Sequence, residues 1–588
     1  MRFIDWLIIV AYFVISFVIG YLYKKRAGNS TEDFFLSGRK LPWWLAGLSM
    51  VATTFAADTP LAVTELVGKN GIAGNWLWWN MLIGGMLTVF FFAKLWRRAN
   101  ILTDVEFIEL RYSGKSAAFL RGFKSIYLGI VMNTIIMGWV NLAMMKILMG
   151  MFPEYINPSN VLIYVGLCMF VTAIYSALSG LWGVAVTDAF QFVLAMGGCI
   201  ILAIIVLNSD QIGGIAGLQA KLPEWALKFT PEIGDSTSPS TSTGGVLAIT
   251  ISSFLAFIGM QWWASWYPGA EPGGGGYVAQ RMMSSKDEKN SLLATFFFQV
   301  AHYALRPWPW IIVGLCALVL YPDLPMEDKG VGYVKAMNDF LPVGLKGLLL
   351  AAFFAAYMST ISTHLNWGTS YFINDFYKRF LNKEKTEKHY VLIARVMTIV
   401  FMVLSVFVTL MMDSISGVWS FVLECGAGLG LVLILRWFWW RVNAISEIVA
   451  TVTPFVVYGV MYFGKFNVAF PESLFYIVPI TTAAWMITAF VTKPTDENKL
   501  ANFFKQIRPG GIGWRKYQEK YPEVKTDKGY GYLFINWALG IILVYMFLFG
   551  IGKIIFGQYM IGTVFMIIGI IAGFIIFKLL NKQGSILE

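Results

Sequence analysis

The sequence predicts an all-α membrane protein of many spans, and three observations carry that expectation. Only 13% of the 588 residues are charged and 57% are hydrophobic, whereas a typical soluble chain is about a quarter charged. Apolar runs of about 20 residues recur along the whole chain, each long enough to cross a hydrocarbon core of about 30 Å. A transmembrane β-barrel would instead alternate polar and apolar residues over strands of about 10. Lys and Arg gather between the apolar runs. The net charge of +11 therefore reads as membrane topology and not as an affinity for nucleic acid. The cysteines Cys168, Cys199, Cys316 and Cys425 all fall inside apolar runs, with no disulfide framework or zinc spacing.

Fifteen helices are expected, at 3–23, 44–67, 76–96, 121–150, 160–178, 183–207, 246–267, 291–321, 343–372, 390–412, 415–438, 444–464, 472–492, 530–552 and 556–580. The first is too long for a signal peptide and runs into Lys24, Lys25 and Arg26 with no cleavage site, so it is read as a retained helix. Alternate loops differ sharply in charge. One side holds the Lys24–Lys40 and Lys94–Lys124 clusters, the Arg281–Lys289 turn, the Lys378–Arg395 and Lys493–Lys528 stretches, and Lys578 with Lys582. That bias predicts a cytoplasmic (inner) membrane protein with its N-terminus outside and its C-terminus in the cytoplasm. Of the two long loops, the outer one, 208–245, holds the polar run Ser236–Gly245 and reads as a linker or gate edge. The inner one, 493–529, is basic and aromatic. It reads as a solvated connector, with contact to the anionic inner leaflet as the alternative.

Two apolar helices carry the residues of a break. Span 44–67 contains Ala52-Thr-Thr-Phe-Ala-Ala-Asp-Thr-Pro60, in which a proline would free carbonyls to bind a cation. Span 246–267 runs into Trp266-Tyr-Pro-Gly-Ala-Glu-Pro-Gly-Gly-Gly-Gly276. Irregular backbone at membrane depth survives only inside protein or beside a water-filled cavity. Lying five helices apart, the two breaks fit a five-plus-five inverted repeat with a site between the halves. A packing kink plus a cytoplasmic turn fits the same residues, and Glu271 is read as part of such a turn. Further along, Ala356-Tyr-Met-Ser-Thr-Ile-Ser-Thr363 places Ser359, Ser362 and Thr363 on one helix face with Thr360 beside them. Hydroxyls so placed suit a hard cation, though they also suit helix packing. Asp188, in Val186-Thr-Asp-Ala-Phe-Gln191, is an ionisable group near the membrane that needs a partner or a path.

Several ordered motifs resemble the sodium:solute symporter family, to which the sodium/glucose cotransporters belong. They are Tyr175-Ser-Ala-Leu-Ser-Gly-Leu-Trp-Gly-Val-Ala-Val-Thr-Asp-Ala-Phe-Gln191, Asp33-Phe-Phe-Leu-Ser-Gly-Arg-Lys-Leu-Pro-Trp43, Leu341-Pro-Val-Gly-Leu-Lys-Gly347, and Asn366 with Asp375-Phe-Tyr377. The likeness covers about residues 5 to 445 and is that of a divergent, bacterial-type member. It implies a LeuT-type core whose repeats are 44–207 and 246–438, joined by the outer loop 208–245. An extra N-terminal helix and loop, 1–43, would precede the core, and the C-terminal helices of 439–588 would follow it. It further implies alternating access driven by one or two Na⁺ ions. The family's shared sodium site carries over to Ala52, Phe55, Ala356, Ser359 and Thr360. A second sodium, present in some members, carries over to Asp188, Ser359, Ser362 and Thr363.

The solute is less well specified. A glutamate and a lysine that grip sugar in the family's galactose carriers align with Trp78 and Tyr303. Candidate solute contacts are Asp58, Thr59, Trp78, Asn80, Gln261, Trp262, Tyr303, Arg306, Trp419 and Glu424. Indole faces suit sugar rings and cations alike. Arg306 could hold a carboxylate in bidentate fashion, and an ion pair with Glu424 or Asp58 is the expected alternative. The expected function is sodium-coupled symport of a small polar solute, a sugar or sugar derivative first. A transporter-like sensor, or a symporter of carboxylate or amino-acid solutes with proton coupling, stands as the alternative. With three histidines and no paired carboxylates or metal-ligand spacing in the spans, an enzyme is not expected. The partners implied are the solute and the lipid bilayer, with no obligate protein partner.

Overall fold

A segment in hydrocarbon must satisfy its own backbone, so each apolar run closes on itself as a helix. The computed structural model describes residues 1–27, 30–234, 248–412, 415–466, 468, 470–527 and 529–582. Among them, eleven helices are long and apolar enough to cross a membrane, and Val161–Ile174 and Leu429–Phe438 are shorter apolar helices. The polar run 236–245 lies outside the described residues, apart from which the outer loop is closed by a short parallel pairing of Glu232–Gly234 with Ala248–Thr250.

In chain order the principal helices are α1 (Phe3–Ala27), α2 (Trp43–Thr54), α3 (Asp58–Asn70), α4 (Ile72–Ala99), α5 (Gly114–Met151), α6 (Val161–Leu207), α7 (251–264), α8 (Gly276–Ser284) and α9 (Glu288–Leu320). There follow α10 (Leu345–Leu381), α11 (Glu387–Thr409), α12 (Ile415–Cys425), α13 (Leu429–Phe438), α14 (Ala444–Phe463), α15 (Leu474–Val491), α16 (Tyr530–Ile555) and α17 (Tyr559–Lys582). Helix α10 is the axis of the molecule: it is buried almost throughout and packs against α1, α2, α5 and α6. The last two helices pair with each other at the periphery. Asp5 of α1 ties the N-terminal helix to that axis, since its carboxylate accepts the backbone N–H of Gly344 (2.7 Å) and Gly347 (2.9 Å) at the free N-terminal end of α10.

Within α6 the two expected spans, 160–178 and 183–207, stay distinct, divided at the non-helical Gly180 (φ 55°, ψ −174°). Other elements differ from the sequence expectation. The expected single helix 415–438 is two, because the glycines of Gly426-Ala-Gly428 let the chain turn there, Gly428 at φ 88°. Helix α10 continues past residue 372 to Leu381 as π-helical turns. Loop 493–529 is not a solvated connector. Its helices Glu497–Ile507 and Arg515–Lys520 bury Phe503, Phe504, Trp514 and Tyr517. Trp514 donates to the carbonyl of Trp437 (2.8 Å), and Arg98 donates to that of Ile507 (2.6 Å).

A buried ionic cluster joins α5 and the α13–α14 corner. Glu447 at the start of α14 is fully buried. It accepts from Tyr112 (2.7 Å), from Lys124 and from Arg436 (3.2 Å). Removing one member of a buried charged set strands the others and costs about 3–5 kcal/mol. Glu447→Ala is therefore expected to lower the thermal unfolding midpoint clearly in detergent, as read by intrinsic fluorescence. An unshifted midpoint would show that this cluster is not a structural clamp.

Candidate functional site

The first break forms where α2 ends at Thr54 and Phe55 leaves helical geometry (φ −95°, ψ 77°). Pro60 does not make the break. It sits in the first turn of α3, where a missing N–H goes unused. The break leans on α10: the Thr360 hydroxyl donates to the Thr53 carbonyl (3.0 Å), and the Thr53 and Thr363 hydroxyls are 3.2 Å apart. Ala52, Phe55, Ala356, Ser359 and Thr360 are all buried at this crossing. It is a buried corner with hydroxyl and carbonyl oxygens at hand, the chemistry a hard cation requires.

Where α6 crosses α2, Asp188 is fully buried. It accepts from Ser49 and from Ser359, both at 2.6 Å. Ser362 donates to the carbonyl of Ser359 (3.1 Å). The chain supplies a cation of its own here. Arg281, expected in a cytoplasmic turn, is fully buried on α8. It donates to Thr363 (2.9 Å) and Ser49 (3.2 Å) and lies 3.9 Å from the Asp188 carboxylate. The charge count misplaced it because the glycine run, and not the residues after Tyr277, is the irregular segment.

That segment, residues 265–275, is the second break, and it is folded into protein, not a surface turn. Glu271 is 3% exposed. It accepts the N–H of Gly269 (3.0 Å) through one oxygen, while the other has no partner among the described residues. The glycines are required by close approach: a Cβ on Gly269 (φ 84°) would stand 2.0 Å from the Tyr277 hydroxyl. The backbone of the break pairs with the interruption between α12 and α13. Trp266 N–H donates to the Gly426 carbonyl (3.0 Å), and Gly428 N–H donates to that of Ala264 (2.9 Å).

Between the two breaks lies a cavity of about 90 Å³. The predicted contacts Asp58, Thr59, Trp78, Tyr303, Arg306 and Trp419 line it, together with Thr54, Trp139, Tyr267, Tyr277, His302 and His364. Trp78 and Tyr303 stack at 5.6 Å, and Trp139 stacks on Tyr267 at 6.4 Å. A π-helical turn at Ala301–Leu305 presents His302 and Tyr303. Arg306 donates to the Val51 carbonyl (3.1 Å) and the Thr54 hydroxyl (3.0 Å), with its guanidinium 5.2 Å from the Trp310 ring centre. It forms no ion pair with Asp58 or Glu424 among the described residues, contrary to expectation. Its Nε and the Oδ1 of Asp58 lack hydrogen-bond partners among those residues. Two opposite, incompletely satisfied charges thus share one cavity.

Four predicted contacts lie elsewhere. Asn80 donates to the carbonyls of Trp76 (2.7 Å) and Leu77 (3.2 Å) in its own helix. Gln261 donates to Leu77 (2.9 Å) across the α4–α7 contact. Trp262 turns to Trp537 at 6.1 Å, and Glu424 accepts from Ser473 (2.5 Å). Of the lining residues missed, Tyr277 and His364 had a signal, since each borders a segment already singled out. Tyr267 lies within the second break itself, and Trp139 had no signal beyond being aromatic.

The sodium:solute symporter family matches residues 34–452 of the chain. A sodium/glucose cotransporter from Vibrio parahaemolyticus is 25% identical over 532 residues, covering 85% of this chain and 92% of that protein. A sodium/sialic acid symporter from Aliivibrio fischeri is 27% identical over 520 residues, covering 84% and 94%. The fold is shared with a solved Na⁺-coupled sialic acid symporter in a substrate-bound outward-open state. That match has a TM-score of 0.65 at 22% identity and covers 84% of this chain and 99% of that one. The helical architecture, the two breaks flanking a cavity and a match over most of the length agree: the chain belongs to the sodium:solute symporter family, as a sodium-coupled multi-pass membrane transporter and not an enzyme.

Proposed function

We propose that the protein couples inward sodium to the uptake of a small, polyhydroxylated solute that carries an acidic group, a sugar derivative. The observation that carries this reading is the cavity in which Arg306 and Asp58 face stacked aromatic rings with polar atoms still free. A guanidinium matches a carboxylate in bidentate fashion, a carboxylate accepts from hydroxyls, and indole and phenol faces pack on a sugar ring. That two relatives are named for glucose and sialic acid supports the same class. Sodium would bind at Ala52, Phe55, Ala356, Ser359 and Thr360. The repeats 44–207 and 246–438 would form the moving core, with 1–43 and 439–588 around it, in an inner membrane with the N-terminus outside. The basic loops support that orientation.

A second reading, a zwitterionic amino-acid-type solute, is favoured by the opposition of Asp58 to Arg306, which would suit an ammonium and a carboxylate. A thermal-shift screen of the purified protein, with sodium and then with potassium, separates the two. Sugar acids are expected to stabilise the protein in sodium only. Stabilisation by amino acids alone would select the second reading, and stabilisation by neutral hexoses alone would defeat both.

A further inference from the structure

We infer that Arg281 is a built-in cation standing in place of a second sodium, so that each chain binds one sodium ion. The inference rests on the sodium reading above and concerns the count alone. Asp188, Ser359, Ser362 and Thr363 are the side chains at which a second ion would be sought, and the structure brings them together with a guanidinium among them. Arg281 Nη2 donates to Thr363 (2.9 Å) and stands 3.9 Å from Asp188 Oδ2. Its Nε donates to Ser49 (3.2 Å), whose hydroxyl in turn donates to the same carboxylate oxygen (2.6 Å). Ser359 donates to the other oxygen of Asp188 (2.6 Å). From the opposite side, Gln280 accepts from Arg281 Nη1 (2.9 Å), which fixes the head group in place.

Both carboxylate oxygens are therefore already hydrogen-bonded, and the Thr363 oxygen already accepts from a cation. A sodium ion placed among these groups would meet a positive charge in a setting with little water to screen it. Neither charged residue can readily leave, since Arg281 and Asp188 are both fully buried and each would strand the other. The chain has in effect made the second ion covalent. Asp188 then positions Ser49 and Ser359 through hydrogen bonds to a fixed counter-charge. Ser359, from the far end of that pair, faces the site proposed for the transported ion.

The count can be read without knowing the solute. Purified full-length protein is brought to equilibrium with ²²Na⁺ at saturating sodium, and bound ions per chain are measured. One ion is expected for the wild type and for Arg281→Lys. Arg281→Gln removes the tethered charge but keeps donors, so Asp188 is left to recruit a free cation, and two ions are expected. A purely structural arginine would give no such gain. Two ions on the wild type would overturn the inference and leave the sodium reading standing, whereas none would overturn both. One ion on folded Arg281→Gln would also overturn it. Should Arg281→Gln not fold, Asp188→Asn decides. One ion retained, as in the wild type, supports the inference, and the loss of an ion from the wild-type count overturns it.

Discussion

Thr360→Val is expected to weaken sodium activation of uptake about ten- to a hundredfold while leaving the protein folded. The substitution keeps the volume of the side chain and removes a single oxygen. That oxygen sits at 3.0 Å from the Thr53 carbonyl, on the helix face that meets the first break. A contact between a polar group and a charge contributes about 1.5–3 kcal/mol, and each 1.4 kcal/mol is about a factor of ten in affinity. Thr360→Ser keeps the oxygen and should restore most of the sodium response. Solute uptake into proteoliposomes as a function of external sodium is the measurement. A half-saturating concentration unchanged in Thr360→Val would take this residue out of the ion site. Ser359→Ala should be at least as severe, because it also withdraws the 2.6 Å hydrogen bond that Ser359 gives Asp188.

The second large effect belongs to Arg306. Arg306→Lys keeps the charge but loses the planar fork, and with it either the grip on Val51 and Thr54 or the reach toward the solute. Truncating one side of a desolvated, hydrogen-bonded charge pair costs about 2–5 kcal/mol, so solute affinity should fall about thirtyfold or more. Stabilisation by sodium alone should survive, since the oxygens of the ion corner are untouched. Loss of the sodium-only thermal shift together with solute binding would instead assign Arg306 to holding α2. Wild-type solute affinity in Arg306→Lys would remove the arginine from the solute cavity altogether.

The spans were legible because hydropathy reports on burial in lipid, and the shared face of Ser359, Ser362 and Thr363 because these residues keep helical spacing in a helix that stays regular there. What the sequence hid was mostly backbone irregularity. Arg281 reads as a cytoplasmic charge only if the helix before it ends in water; eleven residues of unwound chain, 265–275, return it to the core. Asn80 lies beside the cavity-lining Met81 in the chain, and Gln261 and Trp262 lie five or six residues before the cavity-lining Tyr267, yet each bonds or packs away from the cavity. Short and π-helical turns at 76–79 and Phe257–Gln261 shift which side chains face inward, and a periodicity of 3.6 cannot follow such shifts. Glu424 was misread for a similar reason. The interruption at 426–428 turns the end of α12, and a serine on the approach to α15 takes up the carboxylate.

The pairing of residues 264–266 with 426–428 constrains how the transporter can move. Pulling the two segments apart would strand the N–H groups of Trp266 and Gly428 and the carbonyls they reach, at about 1–3 kcal/mol for each group left unsatisfied. That penalty would recur in every transport cycle. A rearrangement that keeps the pairing avoids it, so the ends of α7 and α12 would travel as one rigid body. Trp419 and Tyr267, whose rings meet at 6.1 Å, ride on that body. The aromatic wall of the cavity would then swing as a unit instead of unlatching ring by ring.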